Sequence, residues 1–258
     1  MHPRVTRVSR GLLRGLDAFD PLPPLLRRSH LRPPPATMLS VYRSRNCALV
    51  QRMVRDMHGH HMGLWALDEI TPELETHTMG SGPGGRFQLL NRLAVGVPPH
   101  HWLLVSDDDV VFKSGGLLTF LALADRLELD IVQPAHTVVG STYSHTITGR
   151  RPFRLGRETT FVEIGPVVAF SPTARRHVVP FPEGGMGWGT ELSWYDLQRE
   201  GLRLGIIDAT PLRHVSPVGT GYDFSAEGAR LRRMFDERGL RDWGDVQRTV
   251  RSRYFWSA

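Results

Sequence analysis

The 258-residue chain holds a single cysteine, Cys47, so no disulfide can form within it and a reducing, cytoplasmic compartment is expected. Cys47 is followed by Ala48, Leu49 and Val50 in an expected helix, where a thiol packs rather than attacks. No stretch approaches the roughly 20 apolar residues a membrane-spanning helix needs. The arginine-bearing N-terminus has no continuous apolar segment behind it, so no secretory signal is expected. No internal repeat is present. Lysine is equally scarce: Lys113 is the only one, and the remaining basic residues are arginine, a bias that points to a GC-rich, bacterial coding sequence.

What charge there is sits unevenly. Residues 1–36 carry seven arginines against two aspartates, +5 of the chain's net +6. A nucleic-acid binder would spread its basic footprint over the folded surface, so no nucleic-acid partner is expected. The segment PLPPLLRRSHLRPPPA (21–36) should be extended or disordered, and residues 1–36 are read as an extension outside the fold. Within it, VSRGLLRGLDAF could form a short basic amphipathic helix, giving a contact with the anionic inner face of a membrane, although fraying is the commoner fate of such termini.

From Thr37 to the end the pattern alternates, and a single domain is expected over 37–258. Strands are predicted at 38–43, 61–68, 101–106, 130–135, 161–171 and, as the last, 202–210; helices at 46–57, 86–97, 114–127, 172–177, 190–201 and 223–239. Residues 137–160 read as an irregular or hairpin insertion. The alternation implies an α/β fold with a mainly parallel central sheet flanked by helices.

Against this background HWLLVSDDDVVF (101–112) stands out: three carboxylates between two apolar runs. Ligands of open α/β sheets bind beyond the carboxyl ends of the strands, which is where these aspartates fall. Alternate residues of an extended chain share a side, so Asp107 and Asp109 can face one ligand while Asp108 turns to a backbone or arginine partner. Hard oxygen ligands of this kind suit Mg2+ or Mn2+. The plain alternative is a solvated acidic turn.

Three other segments are weaker alone. GSGPGG (80–85) satisfies G-x-G-x-x-G with Asp107 about 20 residues on, the spacing of a dinucleotide fingerprint, and is a near miss to a P-loop because Arg86-Phe87 stands where Lys-Ser/Thr is required. A glycine loop opening a helix with Arg86 in its first turn can approach a phosphate or ribose, or can be a simple connection. Glu191 lies in the first turn of a helix entered through EGGMGWG (183–189), so it is a candidate general base or an ordinary N-terminal helix acid. HGHH (58–61) has no matching second group and reads as a solvated loop; His214 matters only in combination.

The order SVYRSRN, GGRFQLLN, SDDDV, EIGPVVAFS, GWGTEL, LRHVSPVG resembles the GT-A class of nucleotide-sugar-dependent glycosyltransferases over roughly residues 38–220. SDDDV matches that family's DxD motif. The resemblance implies that Asp107 contacts ribose or metal, that Asp109 ligates a metal bridging the donor diphosphate, and that His214 completes the metal site. It places Tyr42, Arg43 and Asn46 at the nucleotide base and Arg86 and Asn91 beside the donor. Gly165 falls under the donor sugar, and Asp108 and Trp188 count among the donor-binding residues. GWGTEL is similar to the family's G-x-x-x-E-D segment; aligned on Trp188-Gly189, Thr190 takes the Glu position and Glu191 that of the acidic acceptor base.

The implied chemistry is transfer of a sugar from a nucleoside-diphosphate donor to a hydroxyl of a glycan, lipid or protein, inverting if Glu191 stands as base on the acceptor's side, with retention as the open alternative. YSHTITGRRPFR (143–154) offers aromatic and basic groups for such an acceptor. The same stretches also resemble a plant and microbial family of unassigned function. Two rival readings stand beside this one: an NAD(P)-binding Rossmann oxidoreductase, and a catalytically inactive nucleotide-binding module of the same fold.

Overall fold

The computed structural model describes residues 31–138, 145–183, 187–215 and 224–257. Ten strands form one sheet: β1 (Ala36–Tyr42), β2 (His61–Ala66), β3 (Thr78–Ser81), β4 (Trp102–Ser106), β5 (Val110–Phe112), β6 (Ile131–His136), β7 (Arg154–Thr159), β8 (Val167–Phe170), β9 (Leu204–His214) and β10 (Thr249–Tyr254). Among the described residues the helices are α1 (Cys47–Asp56), α2 (Arg86–Ala94), α3 (Leu117–Arg126), α4 (Pro172–Val178), α5 (Thr190–Arg199), α6 (Phe224–Glu237) and the short α7 (Trp243–Val246). None is long and apolar enough to cross a membrane.

Strand residues next to each other enter opposite cores, as a sheet covered on both faces requires. Met38, Leu104 and Val132 join one apolar cluster with Val50 and Met53 of α1 and Phe120 and Leu121 of α3. Their neighbours Leu39, Leu103 and Ile131 join the other, with Phe87, Leu90 and Leu93 of α2, Ala174 of α4 and Trp194 of α5.

The strand order is β10-β7-β9-β6-β8-β4-β1-β2-β3, with β5 paired to β9. The expected parallel arrangement runs through β3-β2-β1-β4 and recurs at β6-β9, while β8 lies antiparallel between β4 and β6. One inverted strand between two parallel sets leaves β1, β2, β3, β4, β6 and β9 pointing the same way. Their carboxyl ends, and the start of β8, therefore share one edge of the sheet.

Several sequence expectations need correction. The region 137–160 is not all insertion, because Arg154–Thr159 is a strand between β10 and β9. Its apolar pattern is broken by Arg157, which is buried with Asp208. The strand expected at 161–171 is only Val167–Phe170. Two edge strands were missed, Thr78–Ser81 and Thr249–Tyr254; the second follows β9, expected as the last strand, and is largely exposed and arginine-bearing. The fold also starts earlier than Thr37: Ala36 is in β1, the Pro35 carbonyl accepts from the Trp102 amide at 2.9 Å, and Leu31 packs against the core. The expectations for residues 1–30, including membrane contact, lie outside the described residues.

A candidate metal and donor site

The shared carboxyl edge collects the chemistry. Asp107 follows β4, His214 ends β9, and antiparallel pairing of β5 with β9 sets Val110 opposite His214. That register brings Asp109 beside the imidazole: Oδ1 lies 3.1 Å from His214 Nε2, and the Asp109 carbonyl accepts from the Val215 amide at 3.0 Å. The Asp107 amide donates to the Pro166 carbonyl at 2.7 Å, tying the aspartate to the chain entering β8. One ligand atom from each of Asp107, Asp109 and His214 then falls within 4.8 Å of the others, and no other such group of three or more metal-capable side chains occurs among the described residues.

Two carboxylates and one imidazole converging this closely are a fit donor set for a divalent cation of the Mn2+ or Mg2+ kind. The electrostatics agree. Burial alone would lower the His214 pKa, yet the hydrogen bond it donates to Asp109 and the charges of Asp109, Asp107 and Glu163 raise it, so the pocket favours positive charge.

Asp108 turns away, as period-two alternation requires. Its Oδ2 accepts from the Arg43 amide at 2.8 Å and its carboxylate also takes a bond from the Asn46 side chain. Burial outweighs these bonds and raises its pKa, helped by the charges of Asp109 and Asp107. Asp108 therefore holds the Ser44–Asn46 turn that leads into α1, and Asn46 shares in that brace. The Arg43 side chain is exposed beside it.

Arg86 opens α2 and joins the cluster. Its Nη2 lies 2.7 Å from Asp107 Oδ1, and its Nη1 donates to the Ile164 carbonyl at 3.3 Å. Gly165 faces the same group: a Cβ there would stand 3.3 Å from Asp107 Oδ2 and 3.8 Å from Arg86 Nη2, so the hydrogen keeps the floor of the site open.

Two residues expected beside the donor are engaged within the fold. Tyr42 is fully buried in the core with its hydroxyl 3.1 Å from Thr78 Oγ1. Asn91 gives its amide to the Phe181 carbonyl at 2.9 Å and accepts the Phe181 amide at 2.8 Å, which fixes the loop after α4.

Glu191 is engaged with the backbone. It is 4% exposed, and its carboxylate accepts from the Gly189 amide at 3.0 Å and the Ile164 amide at 3.3 Å. It thereby ties the turn before α5 to the chain that carries Gly165. That turn demands glycine, since Gly187 has φ +84 and a Cβ would overlap the Phe87 ring at 2.0 Å. Trp188 is half-buried in the same turn.

Burial pushes the Glu191 carboxyl from 4.5 up to about 7. The fold then keeps a proton that the unfolded chain loses near 4.5, so stability contributed below that pH is lost as pH rises towards 7. The loss is up to roughly 3 kcal/mol. Thermal denaturation of wild type and Glu191→Gln across pH 4–8 should show this decline in the wild type and a flatter profile in the variant; parallel profiles would show that the carboxyl is not perturbed.

Two residues at this edge were missed. His136 ends β6 and is buried, and its Nε2 lies 3.2 Å from Glu163 Oε2. The available signal was position: His136, like Asp107, stands where an apolar strand ends. HGHH does find company, because His61 stacks edge-on against His101 at 4.9 Å, but at the amino ends of the strands, away from the site. Burial first, then the neighbouring histidines, lowers the pKa of His101. The proposed acceptor segment is partly internal, with Ile147, Thr148 and Arg150 buried, and residues 139–144 lie outside the described residues.

The dinucleotide reading loses its context. Gly80 and Ser81 belong to β3, the outer edge strand, and Asp107 pairs with Arg86.

No protein-family model matches the sequence, nor does any curated protein. Solved structures do. One of GalNAc-T7 with UDP, GalNAc and Mn2+ superposes with a TM-score of 0.53 at 10% identity, over 74% of this chain and 45% of that one. One of S. aureus TarS 1-349 in complex with UDP-GlcNAc gives a TM-score of 0.53 at 11% identity, over 78% of this chain and 66% of that one. This chain therefore spans less than half of the first and about two thirds of the second. At these identities the likeness speaks for architecture, and the architecture is the GT-A glycosyltransferase fold.

Proposed function

We propose that the chain is a metal-dependent glycosyltransferase that moves a sugar from a nucleoside-diphosphate donor to a hydroxyl acceptor. The observation that carries this reading is the convergence of Asp107, Asp109 and His214 within 4.8 Å at the carboxyl edge of a GT-A fold. Two solved structures of that fold carry UDP with Mn2+ or UDP-GlcNAc, which supports a donor of this class here.

Asp107, Asp109 and His214 would hold the cation. When bound, such an ion neutralises a diphosphate and stabilises the charge of the departing group. Arg86, already 2.7 Å from Asp107, supplies a second positive group for a phosphate oxygen. Gly165 leaves room for the sugar against the site floor, and Glu191 keeps that floor in place. Inversion is the stereochemistry we assign, because a single displacement needs one carboxylate beyond the metal set, and the edge provides one.

The test is release of nucleoside diphosphate from a panel of nucleotide sugars with water as acceptor, with and without Mn2+. Turnover with one preferred donor that stops on chelation is expected. Metal-independent turnover would contradict the reading, and Mn2+-dependent UDP binding without any turnover would favour the inactive module instead.

A further inference from the structure

Glycosyl transfer to a hydroxyl needs a base, and the expected one, Glu191, has both carboxylate oxygens committed to backbone amides in a closed pocket. Another carboxylate stands close by without that commitment. We infer that Glu163, held by His136, is the group that takes the acceptor's proton; the inference rests on the glycosyltransferase reading above.

The topology places this pair centrally. In the order β9-β6-β8-β4, the end of β6 and the approach to β8 lie between the strand that ends at His214 and the strand that delivers Asp107. His136 is the last residue of β6, and Glu163 lies two residues before Gly165 on the way into β8. The negative charge of Glu163 also bears, as a minor contribution, on both His214 and Glu191.

The Glu163 side chain is also prepared for the task. Its backbone amide donates to the side chain of buried Gln133 at 2.5 Å, which fixes the chain at that point. His136 Nε2 lies 3.2 Å from Glu163 Oε2, with side-chain exposures of 1% and 14%. An ionised carboxylate only accepts, so the imidazole must donate, holding one oxygen and orienting the other. Among the described residues none donates a hydrogen bond to that other oxygen, Oε1, and the side chain is partly exposed. Glu163 is thus the anchored carboxylate that an incoming hydroxyl can reach, and His136 is a positioning residue that acts through it.

The step balances simply. The acceptor oxygen forms a bond to the anomeric carbon as its proton passes to Glu163. The bond from that carbon to the diphosphate oxygen breaks, and the electron pair leaves with the nucleoside diphosphate. The proton on Glu163 then exchanges with water.

Azide separates base catalysis from a structural role, because it is a nucleophile with no proton to lose. Nucleoside diphosphate release is measured with Mn2+ and the nucleotide sugar that the wild type hydrolyses fastest in the panel, starting from UDP-GlcNAc. Loss of a general base costs about 10²- to 10⁴-fold. Glu163→Ala should lose at least about 100-fold in kcat with little change in KM for the donor, and sodium azide should restore release with formation of an inverted glycosyl azide. Glu163→Gln, which keeps an acceptor for His136, should be as slow.

His136→Asn should show a smaller fall in kcat, about tenfold, at unchanged KM. A folded Glu163→Gln with wild-type kcat overturns the inference, as does a Glu163→Ala defect that azide leaves untouched, or rescue of Glu191→Ala in its place. A wild-type chain that releases product from no nucleotide sugar instead overturns the functional reading, and this inference with it.

Discussion

Asp109→Asn is expected to reduce nucleotide-sugar turnover about 10³-fold, because it removes a ligand from a three-residue set. Lewis-acid stabilisation of transferred charge is worth several kcal/mol, and each 1.36 kcal/mol is about tenfold in rate. Asp109 is the sharper choice within the set. Asp107 is shared with Arg86 at 2.7 Å, so its loss would also release the arginine, whereas Asp109 pairs with His214 at 3.1 Å and is nearly buried. The isosteric amide preserves packing, so the melting temperature without metal should change little. Initial rates at saturating Mn2+, read beside thermal denaturation, check both parts; a variant with more than a tenth of wild-type kcat would remove Asp109 from the chemistry.

The largest stability effect is expected at Arg157→Met. Arg157 and Asp208 are both buried, with Nε 2.8 Å from Oδ2 and Nη2 3.0 Å from Oδ1. The same guanidinium donates to the Ile147 and Gly149 carbonyls at 2.9 and 3.0 Å, and Asp208 also accepts the Arg151 amide at 2.7 Å. Removing the cation leaves a carboxylate that burial already pushes towards its protonated form.

Stranding one member of such a pair costs about 3–5 kcal/mol, or roughly 10 °C in Tm for a chain of this size. The double variant Arg157→Met with Asp208→Asn should recover much of that loss, since no buried charge is then left alone. A single variant within about 1 kcal/mol of wild type would mean that water already reaches the pair. The effect bears on the site as well: the Arg150 amide donates to the His136 carbonyl at 2.8 Å, so the loop that Arg157 fixes also anchors the end of β6.

How far the sequence was legible follows from which residues carry local information. β1 and β4 were plain because their runs are apolar on both faces, as central parallel strands demand. The opposed orientations of Asp108 and of the Asp107–Asp109 pair were readable from the two-residue period. β7 was hidden by Arg157, whose charge is answered by Asp208 fifty-one residues away. β10 was hidden because an exposed edge strand needs no apolar signal. Tyr42 shows the opposite limit: a tyrosine at a strand end reads equally as a base contact or a core residue, and only Thr78 opposite its hydroxyl decides. His136 and Glu163 lie 27 residues apart and meet only because β8 returns antiparallel beside β6.

In the proposed reading the acidic edge binds a divalent cation together with a nucleoside diphosphate. Calorimetric titration of Mn2+ into the full chain, alone and with UDP, tests it most directly. One site per chain is expected, tighter in the presence of UDP and lost in Asp109→Asn. Absence of measurable Mn2+ or Mg2+ binding with UDP and the other nucleoside diphosphates at saturation would contradict it.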